Sequence, residues 1–142
     1  MGRNFDILLF VGLMFALIPA FTTIGPILEG KFFPVAGGTE VTLIPALGKG
    51  TYISGTSNKL RHCVFVRLEA TYDRPGGGPG VIVPMEILEG NKDRGEGAFT
   101  FGPWRVNLSE EQIRSGFQIH AYHRCYSFNP YWVTPTLFWT QP

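Results

Sequence analysis

Residues 62–73 read HCVFVRLEATYD. Val64, Val66, Leu68 and Ala70 fall on one side of an extended chain and Arg67, Glu69 and Thr71 on the other, since consecutive strand side chains point to opposite faces. That period of two predicts a half-buried strand. The same period recurs further along the chain. In residues 117–126 (FQIHAYHRCY) one face carries Phe117, Ile119, Ala121, His123 and Cys125, and residues 131–140 (YWVTPTLFWT) follow a turn at Asn129 and Pro130, which predicts a terminal hairpin. Residues 81–88 (VIVPMEIL) predict another strand, placed at a sheet edge because Pro84 has no N–H to give a ladder. Stretches near residues 39–45, 51–54 and 98–101 bring the expected total to seven or eight strands. Short strands separated by turns point to a mainly β, sandwich-like domain.

One short helix is expected within it, over residues 109–115. Ser109 can cap, Gln112 three residues on completes a capping box, Leu108 and Ile113 are placed as a hydrophobic staple, and Gly116 supplies the stop. Composition agrees with a strand-rich chain. Charged residues are 16% of the 142, while Gly (18) and Pro (11) are plentiful, which favours turns and strands over helices. Twelve basic against eleven acidic side chains give a net charge of +1, too little for a field that grips a phosphate backbone. Nucleic acid is therefore not an expected partner.

The amino-terminal segment is of another kind. Residues 7–18 (ILLFVGLMFALI) form an unbroken apolar run, and no charged residue occurs in the 22 positions between Asp6 and Glu29. About 20 helical residues cross a hydrocarbon core roughly 30 Å thick. Residues 1–28 are thus expected to be an uncleaved signal-anchor helix in contact with the bilayer through residues 7–28, with residues 29–142 as an exported domain. Pro19 is tolerable in such a span, where Thr22 and Thr23 can bond helix carbonyls. A cleaved signal peptide fits less well: cutting after Ala20 places Ile18 where a small residue is preferred, and Pro26 follows the other small triplet. A buried core helix is the third option. Counting basic groups puts the amino terminus in the cytoplasm and the domain outside it, periplasmic or extracellular.

Cys63 and Cys125 are the two cysteines, 62 positions apart. A bridge between them across two sheets is expected in an oxidising compartment, where closing so long a loop restricts the unfolded chain by about 4 kcal/mol. Two separately buried thiols, or metal ligation, are the alternatives. The immunoglobulin pattern is met only in part, because Trp104 lies too far along the chain and His123 stands where a tyrosine is usual. His123 and Cys125 share a strand face and could meet one zinc or copper ion, whereas His62 and Cys63 point to opposite faces.

The glycine-rich residues 74–80 (RPGGGPG) lack the Gly-Lys-Ser/Thr and the following helix of a phosphate cradle, so a hairpin tip is expected. Residues 91–97 (NKDRGEG) are expected to be a solvated turn, and no paired-carboxylate or nucleophile motif accompanies them. No catalytic residue and no cofactor is expected. Eight aromatics occupy the last 26 positions: Phe117, Tyr122, Tyr126, Phe128, Tyr131, Trp132, Phe138 and Trp139. Aromatics on both faces imply a doubly covered sheet or an exposed contact patch. In residues 131–140, Trp132 and Phe138 share one side, and Tyr131, Val133, Leu137 and Trp139 the other. Tyr131, Trp132, Phe138 and Trp139 are therefore the interface candidates, one set packing inward and the other meeting a neighbouring protein or the bilayer surface.

Residues 55–63 (GTSNKLRHC) and 123–125 (HRC), behind an amino-terminal span, resemble small single-pass membrane proteins of phage or prophage origin. The resemblance covers less than a tenth of the chain and implies only an envelope-associated or virion-associated setting. The expected function is a non-catalytic, membrane-anchored β-sandwich serving as a structural or accessory subunit alongside other protein subunits. A metal-handling protein using His123 and Cys125, and a carbohydrate-binding module using the region of Trp132 and Trp139, are the rival expectations.

Overall fold

The computed structural model describes residues 2–48, 50–74, 79–88, 94–126 and 129–141, with the backbone alone for residues 2–5. The middle of the 74–80 glycine loop, residues 91–93 of the charged turn and Phe128 lie outside the described residues. In chain order the elements are α1 (Gly2–Phe32), β1 (Ala36–Pro45), β2 (Thr51–Lys59), β3 (Val64–Tyr72), β4 (Val81–Val83), β5 (Met85–Ile87), β6 (Gly97–Val106), α2 (Glu110–Arg114), β7 (Phe117–Arg124) and β8 (Thr134–Thr140). The strands form two antiparallel four-stranded sheets, β1-β2-β6-β5 and β4-β3-β7-β8.

The mainly β architecture follows from the alternation. In β7, Phe117, Ile119, Ala121 and His123 are all buried, and Cys125 continues the series just beyond the strand. Their counterparts across the core are Ile53, Phe101, Trp104 and Val106 of the other sheet. Phe138 of β8 closes the gap, with its ring edge-on to Phe101 at 5.0 Å and tilted against Trp104 at 5.8 Å. Each such large side chain contributes about 1.5–3 kcal/mol by leaving water. The α2 cap forms as its sequence predicts: Gln112 N donates to Ser109 Oγ at 3.2 Å and Ser109 N to Gln112 Oε1 at 2.9 Å. That cap presents Ile113, fully buried, to the same core.

Three expectations are corrected. In β3, Phe65 pairs with His123 and Arg67 with Tyr122, so Val66 is an extra residue. A bulge of one residue reverses the alternation before it. Phe65 therefore takes the inner side, its ring edge-on to His123 at 5.7 Å, while Val64 and Val66 are exposed. Secondly, residues 81–88 are not one strand. Pro84 divides them, β4 pairing with β3 in one sheet and β5 with β6 in the other, each at an edge. Thirdly, the Cys63–Cys125 disulfide does not link two sheets. Cys63 immediately precedes β3 and Cys125 immediately follows β7, which are neighbours in one sheet, with the sulfurs 2.06 Å apart.

Helix α1 is long and apolar enough to cross a membrane, the qualifying stretch being Asp6–Phe32. It runs through Pro19 and Pro26 and ends four residues past the expected boundary at residue 28. Thr23 Oγ1 donates to the Pro19 carbonyl at 2.8 Å and Thr22 Oγ1 to the same oxygen at 3.1 Å. These bonds keep the hydroxyls satisfied within an apolar stretch.

Candidate functional site

The last third of α1 does not stand clear of the domain. Phe21, Gly25 and Glu29, spaced by four, lie on one helical face, and that face rests on β8 and the residues leading into it. Gly25 lies under the ring of Trp132, and Gly30 lies against the Pro135 carbonyl; a Cβ at either position would overlap its neighbour. Absent side chains are what let backbone and ring approach here. Phe21 completes the cover of Trp132, ring centres 5.0 Å apart.

Above these contacts sits a polar clasp. Glu29 is 4% exposed. Its Oε1 accepts from Arg61 Nη2 at 2.8 Å and its Oε2 from Thr134 Oγ1 at 3.0 Å. Arg61 Nη1 also donates to the Phe33 carbonyl at 2.7 Å, just past the helix end. A carboxylate this deep is tolerated because cation and hydroxyl replace its water. Val35, fully buried, then packs with the Cys63–Cys125 bridge, which ties the chain entering β3 to the chain leaving β7.

The interface candidates separate into four environments. Tyr131 is 87% exposed. Trp132 is 9% exposed and covered by α1, with its indole Nε1 lacking a hydrogen-bond partner among the described residues. Phe138 belongs to the inter-sheet core. Trp139, which the alternation puts on the same side as exposed Leu137, is half-buried, because the register shifts between Ile119 and His120 and brings its ring to Phe117, centres 6.2 Å apart. Neither tryptophan of β8 and its approach thus offers an open flat ring of the kind sugar binding uses.

His123 is buried and His62 exposed, and Cys125, bonded to Cys63, has no thiolate to give a metal ion. Among the described residues no group of three or more His, Cys, Asp or Glu could hold a metal. An open depression of about 420 Å³ lies between the β1–β2 turn and α2, with Glu110 its one ionisable lining residue among those described. Glu110 is already engaged by Arg114 at 2.6 Å.

Sequence reading missed Glu29 and Arg61. The signal available was a lone acid at the end of an apolar run, which reads equally well as the start of solvent-exposed chain. Compared with known protein families, characterised proteins and solved structures, the chain matches none.

Proposed function

We propose that this protein is a non-catalytic membrane-anchored β-sandwich that serves as a structural or accessory subunit of an envelope-associated or virion-associated assembly. Its amino terminus is cytoplasmic and its domain periplasmic or extracellular. The observation that carries the reading is the clasp of Glu29 by Arg61 and Thr134. A flexible linker would serve a tethered enzyme or a ligand trap. Here the apolar helix is instead locked to the domain by an ion pair, a hydroxyl and two close glycine contacts, which fixes the pose in which the domain is presented to neighbours.

Extraction of the full chain from its native membrane in mild detergent, followed by mass measurement of the intact particle, tests the proposal. Stoichiometric partner subunits are expected; a lone chain overturns it. A reporter enzyme fused after Pro142 is expected to be active only outside the cytoplasm, and activity inside overturns the orientation.

A further inference from the structure

The residues leading into β8 lie against α1 further from the helix end than the segment between β2 and β3 does. The segment between β2 and β3 meets the chain at the helix end, where Arg61 bonds the Phe33 carbonyl and Leu60 N donates to Val35 O at 2.8 Å. Trp132, by contrast, touches Phe21 and Gly25. Phe21 lies eleven residues before the helix end at Phe32, about 16 Å along the axis at 1.5 Å per residue.

That depth can be set against a bilayer. Starting from Ile7, the first residue after the charged Asp6, about 20 residues or 30 Å of helix fill the hydrocarbon core and bring its far boundary to about Pro26. Tilt moves the boundary further along the helix. Phe21 and Gly25 are then at or beneath the boundary, and so is the ring packed on them.

We propose that Tyr126, Tyr131 and Trp132, in the connection from β7 to β8, are seated in the headgroup-to-acyl boundary of the bilayer, in the leaflet where α1 emerges. This rests on the reading of α1 as a membrane span. The side chains suit the place. Tyr131 is 87% and Tyr126 61% exposed, and tyrosine and tryptophan collect at membrane–water interfaces because an apolar ring and a polar tip match the two sides. No acidic residue occurs after Glu111, while exposed Arg124 lies at the end of β7, where anionic headgroups attract it. The turn meets part of its own backbone demand: Tyr131 N donates to Asn129 Oδ1 at 2.9 Å and Trp132 N to Asn129 O at 3.2 Å. Irregular chain is acceptable at that boundary, where water remains, though not in the hydrocarbon itself. The anchor thus has two parts, a span and an aromatic wedge beside it, and the domain is held against both tilt and rotation.

The test uses the full chain, its disulfide intact, in vesicles of phosphatidylcholine and phosphatidylglycerol. A nitroxide is attached in turn to Tyr131→Cys, Phe15→Cys and Leu47→Cys, all exposed positions, and its collisions with lipid-soluble oxygen and a water-soluble nickel chelate are measured. Position 15 is expected to report lipid, position 47 water, and position 131 an intermediate ratio clearly shifted towards oxygen. If position 131 matches 47 while 15 reports lipid, the wedge is overturned and the span stands. If position 131 is shielded from both reagents, a second copy covers it and the proposal is likewise overturned. If position 15 reports water, the span fails and the wedge fails with it.

Discussion

The inter-sheet core and the helix–hairpin junction are held by different means. In the core, Ile53, Phe101, Trp104, Val106, Phe117 and Ile119 share one apolar volume, and no single contact determines the arrangement. In the junction a few specific residues act: Glu29 with Arg61 and Thr134, Gly25 under Trp132, Gly30 against Pro135. The core therefore fixes that the domain folds, and the junction fixes how the folded domain is posed on its helix. Damage to the first should be global and to the second local.

The largest effect is expected from Phe117→Ala. Phe117 is fully buried, and the loss should be about 3–5 kcal/mol, measured by denaturant unfolding of the full chain in detergent. If this variant loosened only one sheet, the core would not be the single unit described. Next, an unreduced digest should yield one linked peptide pair containing Cys63 and Cys125, and Cys63→Ser should cost about 2–5 kcal/mol. Two alkylatable thiols in protein from an oxidising compartment would reject the bridge.

The junction is addressed by Glu29→Ala, which removes the carboxylate partner of Arg61 and the acceptor of Thr134. A loss of about 2–3 kcal/mol is expected, with hydrogen exchange accelerating in residues 29–35 while β3 and β7 keep their protection. Equal acceleration throughout would mean that junction and core are not separable. The smallest effect belongs to Ser109→Ala, about 1 kcal/mol from loss of the α2 cap, confined to the neighbourhood of Ile113.

The legibility of these regions differs for the same reason. β7 could be read from its residues because burial on one face imposes strict alternation, and the α2 cap because its partners are three residues apart. The bulge at Val66 was hidden, since Val64 and Val66 satisfy an alternating pattern equally well without it. The switch at Pro84 was hidden because an edge proline is compatible with one strand at one edge or with two at different edges. The sequence placed the cysteines close together, yet not in the same sheet. Glu29 and Arg61 are 32 residues apart, and only the packing of α1 on β8 makes them partners.

The crossing at Pro84 has a consequence for how both sheets end. An unpaired strand edge invites chain-to-chain ladder growth. Here one short run supplies one of the two outer strands of each sheet, three residues in each, with a proline between them that donates nothing. On the opposite flank α1 lies along β8. The remaining outer strand, β1, is ten residues long, so edge-to-edge association of the domain is expected there and not at β4, β5 or β8.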